Sequence, residues 1–326
     1  MTTSISAAAF ITTFGLAATA AADDPQPQRS VAALEAPDVK QMGGSVEMAV
    51  AARTEVITDS DTAAEPNGVR QTASLSPMMR IDLRVRDEVE LAAAFGLVTV
   101  FSNGPEGETQ SARPSNISFG GRRLWEWSDT SSRTSSKRFR AADVGFEFAI
   151  PTGTAQGQDE VDAFEYALAG RGGLGPWAWM PNTLGLVLPA RVRAQVARRW
   201  VVESTGALAG MFPSIGDIDP PTAAAQLTGG ARWVLPWVAL GMQASAVYNG
   251  RRQGDKTQTA VAPSLDTNLC RRGGRRISGS IPGTSARCPV SLSAKFHMNL
   301  DAPYGFVRDD SLSIWGLHFG LAWAAF

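Results

Sequence analysis

The residues able to do covalent or metal chemistry are few. The chain of 326 residues holds two histidines, His297 and His318, and two cysteines, Cys270 and Cys288. Ser-His catalysis needs an imidazole beside a hydroxyl, oriented by a third group. Both histidines instead sit inside alternating segments, where an interior hydrogen-bonded imidazole is the simpler expectation. The acidic pairs Asp217 and Asp219, Asp309 and Asp310, and Asp159 with Glu160 do not form a recognisable metal-binding loop. No metal and no cofactor is expected. Gly170, Gly172 and Gly175 satisfy the G-x-G-x-x-G spacing. A dinucleotide site requires a helix to begin there, and Pro176-Trp177-Ala178-Trp179 followed by Pro181 predicts turns instead.

The charged residues carry more information than these. Arg80, Asp82, Arg84 and Arg86 alternate with Ile81, Leu83 and Val85. Lys295 and His297 lie in eleven residues of unbroken alternation, with Val290, Leu292, Ala294, Phe296, Met298 and Leu300 on one face. Successive strand side chains point to opposite faces, so period two means that one face meets an apolar medium and the other does not. The same pattern runs through Leu184 to Val196, Ala225 to Leu235, Val238 to Tyr248 and Val144 to Ile150. It continues more weakly through Val46 to Arg53, Glu90 to Phe101, Ile117 to Trp127, Ala163 to Ala169 and Val201 to Phe212, and ends in a bulky run from Ser311 to Phe326. These segments predict about twelve strands, many of bilayer-spanning length. On the second face Arg80, Asp82, Arg84, Arg86, Arg122, Glu126, Glu147, Arg191, Arg193, Arg232, Lys295 and His297 are the candidate lining of a lumen.

Composition agrees with one strand face in lipid. Charged residues make up 19% of the chain, and it contains 32 glycines and nine tryptophans. Its mean hydropathy is -0.07, as expected where only alternate strand positions are apolar. A net charge of -1 implies no pull toward nucleic acid. Residues 1–22 carry no charge and end in Ala20-Ala21-Ala22, which predicts a secretory signal peptide, although its first residues lack the usual Lys or Arg. Residues 23–41 are expected to be a polar periplasmic linker, and residues 42–326 the barrel. Tight joints are expected at Asp87-Glu88, Arg198-Arg199 and Leu235-Pro236, and long external loops at roughly 54–77, 102–115, 128–138, 151–162, 170–183, 213–222 and 249–289. Cys270 and Cys288, with 17 residues between them in the longest of these, are expected to form a disulfide. The arginines around them could attract lipopolysaccharide.

Taken together, the signal-like N-terminus, the alternating segments and the terminal aromatic Phe326 resemble Gram-negative outer-membrane β-barrel proteins over residues 42–326. Asp87-Glu88-Val89-Glu90-Leu91 leading to Phe95-Gly96-Leu97, and Val144 to Gly153, are similar to segments of barrels regarded as transporters or as accessories of aromatic-compound degradation. The resemblance implies an all-β, antiparallel up-and-down transmembrane barrel, contact with outer-membrane lipid, and insertion by the barrel-assembly machinery with Phe326 as its signal. Phe326 falls on the parity opposite to Trp315, Leu317, Phe319, Leu321 and Trp323, so a bulge at Ala324-Ala325 would be needed to restore the phase. The favoured function is a narrow channel or transporter for an unidentified small solute in a Gram-negative outer membrane. The alternatives are a plugged structural barrel, a barrel-embedded lipid hydrolase, or a soluble secreted β-sandwich that binds carbohydrate.

Overall fold

A computed structural model describes residues 41–325 except 59–65, 87, 105–106, 130–137, 156–157, 198, 215–219, 236–237, 252–255, 269–289, 304–305 and 307–313. The expected signal peptide, linker and disulfide, and the terminal Phe326, therefore lie outside the described residues.

Thirteen strands form one antiparallel sheet: β1 (Gln41–Thr58), β2 (Pro66–Arg86), β3 (Val89–Gly104), β4 (Gly107–Pro114), β5 (Ile117–Asp129), β6 (Arg138–Ile150), β7 (Thr183–Ala197), β8 (Trp200–Pro213), β9 (Thr222–Val234), β10 (Val238–Asn249), β11 (Thr257–Asn268), β12 (Val290–Asn299) and β13 (Trp315–Ala325). Neighbours in sequence pair except for β4 and β5, and β1 pairs with both β2 and β13. With β2 on β3 and β3 on β5, these pairings close a ring of twelve strands, leaving β4 as the extra one. Closure removes the unpaired edges that a bilayer would not tolerate. β4 pairs with the distal half of β3, from Leu97↔Pro114 to Gly104↔Gly107, while β5 pairs with its proximal half, from Val89↔Arg123 to Ala94↔Ser118. In effect β4 and β5 are one strand, bent at Ser115-Asn116.

Leu188 is 59% exposed and Phe146 54%, and Phe95, Leu97, Leu240, Met242 and Phe319 are exposed on the same outer face. A continuous apolar exterior on a closed barrel requires lipid around it, which rules out the soluble sandwich.

The ring contains twelve strands because two departures from the sequence pattern offset each other. Ala163 to Ala169, expected as a strand, lies in helix α1 (Gln158–Gly170). β11 instead falls within the expected loop 249–289. The additional strand changes the side on which later connections fall. β11 ends and β12 begins at the barrel end that also holds Gln41, Ala325 and the tight turns, here called the turn end. The strand ends that flank residues 269–289 thus lie at the turn end, not at the opposite, distal end. The ends of β5 and β6 that flank residues 130–137 also lie at the turn end. The expected loop 54–77 is largely occupied by the distal parts of β1 and β2, and 102–115 by the β3–β4 hairpin. β1 and β13 stay in register from Ala52↔Trp315 to Met42↔Ala325. There is thus no bulge at Ala324-Ala325.

Candidate functional site

The lumen is built in two storeys. Residues 151–182, between the adjacent strands β6 and β7, turn inward from the distal end and fill the upper storey as a plug. The segment contains α1 and a one-turn helix, α2 (Pro176–Trp179), at the point where the sequence predicted turns only. Phe164, Leu168, Trp177, Trp179 and Met180 of the plug bury themselves against Val98, Val100, Ala149, Val187, Ala209 and Met211 of the wall. Burying each large side chain contributes about 2 kcal/mol before ordering costs.

Glycines shape the plug and its seat. The chain leaves α1 through Gly172, Gly173 and Gly175 at φ 63°, 76° and 66°. The Gly172 and Gly173 amides donate to Ala169 O and Leu168 O, closing the end of the helix. The G-x-G-x-x-G match is thus turn chemistry. A Cβ on the wall residue Gly316 would stand 2.0 Å from the Gly170 carbonyl oxygen, so α1 touches backbone there.

Polar tethers hold the plug at both ends. At the β4–β5 bend, Asn116 is 2% exposed. Its Nδ2 faces the carbonyls of Trp177 (2.8 Å), Met180 (2.8 Å) and Thr183 (3.1 Å), and its Oδ1 accepts from the Gly153 amide at 3.1 Å. Both ends of the plug are therefore gripped by a single side chain. Thr152 reinforces the bend by donating to Ser115 O at 2.8 Å and accepting from the Ile117 amide at 2.9 Å. At the base of α1, the Arg171 guanidinium donates to Ser76 O at 2.6 Å, lies 3.6 Å from Glu47 Oε2, and stacks over Trp179 at 4.9 Å. His318 Nε2 lies 3.2 Å from the same Glu47 oxygen. Asn299 Nδ2 donates to Ala169 O at 3.2 Å.

Below the plug, the wall carries a belt of ion pairs. Arg122 joins Glu90 (3.3 Å) to Asp143 (3.8 Å), and Arg191 meets Asp143 at 2.7 Å. Glu203 lies between Arg193 (3.3 Å) and Arg232 (3.4 Å), and Arg232 reaches Asp266 at 3.6 Å. Arg80 pairs with Asp82 at 2.7 Å. Both signs are balanced, and the Arg191 side chain keeps 30% of its surface open to solvent. Arg80, Arg122 and Arg232 are part-exposed in the same way, whereas Asp143, Arg193 and Asp266 are buried.

The pairing registers put Arg80, Asp82, Arg84, Arg122, Glu147, Arg191, Arg193, Arg232, Lys295 and His297 on the lumen face. Arg86 and Glu126 lie in β2 and β5, but their side chains are outside the described residues. Glu90, Asp143, Glu203 and Asp266 complete the belt, and Glu47 the tether at Arg171, although the sequence did not single them out. They share the parity of the charged face, which was the available signal. Among the described residues, no serine hydroxyl bonds to either imidazole. His297 and His318 sit side by side, with ring centroids 5.9 Å apart.

The closed fold and its apolar exterior together define an outer-membrane-type β-barrel, closed by twelve strands and plugged from within. The structure is similar to an outer-membrane channel of Pseudomonas putida F1, with 11% identity and a TM-score of 0.54, covering 93% of this chain and 99% of that one. Further likenesses include the translocator domain of the autotransporter NalP of Neisseria meningitidis (10% identity, 98% and 97% coverage, TM-score 0.40) and the monoaromatic hydrocarbon channel TodX in a mutant form (11% identity, 89% and 90% coverage, TM-score 0.37). No protein-family model and no curated protein matches the sequence.

Proposed function

We propose that the protein resides in a Gram-negative outer membrane as a gated channel for small solutes, with residues 151–182 as the gate. The observation that carries this reading is the belt of ion pairs beneath the plug, with part of its arginine surface left open. A purely structural barrel has no need of a charge-lined storey, since a well-packed apolar core would stabilise it as well or better. In this reading the belt residues, with Arg84, Glu147, Lys295 and His297, line the conducting path. Balanced charge of both signs suits passage of polar solutes without strong selection by net charge. The gate is held by a few directional contacts at Asn116 and Arg171, which two alternative plug positions could make or break.

Single-channel current across a planar bilayer tests the proposal. The wild-type barrel should be mostly closed, and Arg171→Ala should raise its open fraction. Absence of current from both, in samples that retain the gel-mobility shift of a folded barrel, refutes the channel.

A further inference from the structure

The outer side of the barrel carries a charged feature that neither the plug nor the belt uses. At the turn end the described outward residues of the strands are uncharged in every strand but β5 and β6, where Arg123 and Arg140 stand. Arg123 lies opposite the outward Val144 of β6 on one side and Val89, the first residue of β3, on the other. It is therefore level with the β2–β3 turn, at the rim of the apolar surface. Its side chain is 61% exposed, packs over the Trp125 ring at 5.3 Å and donates from Nη2 to Glu88 of that turn at 3.2 Å. Most of the guanidinium's donors remain. Arg140 precedes by two residues Ala142, the register partner of Trp125. It is thus a diagonal neighbour of the indole on the same face, a spacing that long side chains bridge. Arg140 is exposed and forms no ion pair among the described residues.

An arginine facing the middle of the bilayer is costly, whereas one at its rim meets headgroups and gains from anionic ones. Two arginines against one carboxylate leave this patch net positive. Guanidinium matches phosphate through paired hydrogen bonds, and tryptophan settles at headgroup level. Beside and beyond them toward the distal end, Leu91, Val144 and Phe146 offer exposed apolar surface. An amphiphile with an anionic head satisfies both parts at once. We propose that Arg123, Trp125 and Arg140 form a site for an anionic phospholipid, its phosphate between the two guanidinium groups and its acyl chains along Val144 and Phe146. Short turns of such barrels face the periplasm, so the lipid comes from the inner leaflet of the outer membrane. The site does not depend on the gate or on whether the lumen conducts.

Native mass spectrometry of the full-length folded barrel tests this, with phosphatidylglycerol and phosphatidylcholine supplied in equal amounts. The two share a phosphate and acyl chains and differ in net charge. One arginine near an anionic headgroup is worth about a fivefold preference, so the pair, offset in part by Glu88, should favour phosphatidylglycerol by about tenfold. Arg140→Gln should lower that preference about fivefold and Arg123→Gln at least as much. Glu88→Gln, which removes the competing carboxylate, should raise it. Arg199→Gln takes a charge from the β7–β8 turn at the same end and should leave it unchanged. Excess glycerol phosphate, the anion without chains, should not displace the lipid. All variants are compared in samples that keep the gel-mobility shift of a folded barrel. The proposal is overturned if the two lipids are retained alike, if the preference survives both arginine substitutions, if Arg199→Gln lowers it as far as Arg140→Gln does, or if glycerol phosphate displaces the lipid.

Discussion

Replacing Asn116 with alanine isolates the clamp on the plug. The amide has two protons for the three carbonyls of Trp177, Met180 and Thr183, while its oxygen serves the Gly153 amide, so about three full hydrogen bonds are at stake. Each contributes about 1 kcal/mol net, and the buried partners left unsatisfied cost about 1–3 kcal/mol more. We therefore expect Asn116→Ala to weaken plug docking by about 3–5 kcal/mol, shifting the closed-to-open ratio by roughly two to four orders of magnitude. Asn116→Asp keeps the shape but turns a carboxylate on three carbonyls, and should open the channel at least as far. The assay is open probability in planar bilayers, with the folded state of each variant checked by gel mobility before and after boiling. A variant with intact mobility shift and wild-type open probability would refute the claim that Asn116 holds the gate.

Gly316→Ala should disturb α1 without touching a polar contact, because its Cβ would collide with the Gly170 carbonyl; a loss of about 1–3 kcal/mol is expected, read as reduced hydrogen-exchange protection of residues 158–170. Glu165 gives docking a pH dependence of definite sign. Its carboxyl in the folded protein, at about 7, lies above the ordinary value of 4.5, so the contribution it makes is fully present below the ordinary value and is lost as pH rises through 7. Protection of α1, corrected for intrinsic exchange, should fall across that interval in the wild type and stay level in Glu165→Gln. For Cys270 and Cys288 we propose the disulfide, which a non-reduced peptide map should show as a cross-linked pair that separates on reduction; labelling of both thiols without reductant would refute it. Closing the intervening loop contributes about 3 kcal/mol in the chain-entropy model.

The strands that the sequence made legible are those whose outward face is consistently apolar, such as β7, β10 and β12. β11 escaped because its outward residues include Thr257, Thr259, Pro263 and Thr267, which break the contrast that alternation needs. β4, with the sequence Gly-Glu-Thr-Gln-Ser-Ala-Arg-Pro, and the distal parts of β1 and β2 have polar sequences that resemble loops. The plug helix was misread for the opposite reason. From Ala163 to Gly170 its one charged residue is Glu165, so the 3.6-residue period is hard to read there, and Ala163, Glu165, Ala167 and Ala169 alternate by chance with Phe164, Tyr166 and Leu168. Its ending was nonetheless visible in Gly170-Arg171-Gly172-Gly173, a helix-stopping run. The charged face was readable as a set, but which arginine meets which carboxylate depends on register across the ring, information that no single strand contains.

The plug has a consequence for assembly as well as for gating. β1 and β13 come from opposite ends of the described chain and must find each other to complete the ring, yet their lumen faces offer small side chains: Gly43, Ala49, Ala51, Gly316, Gly320 and Ala322. Strands of that kind specify their offset weakly, and a slip by one residue would turn every side chain to the wrong face. The mid-chain plug touches both strands, with Gly170 seated against Gly316 and Ala51, and Arg171 reaching Glu47 beside His318. It is thus a gauge block set across the seam, and the first and last strands fit around it in one alignment.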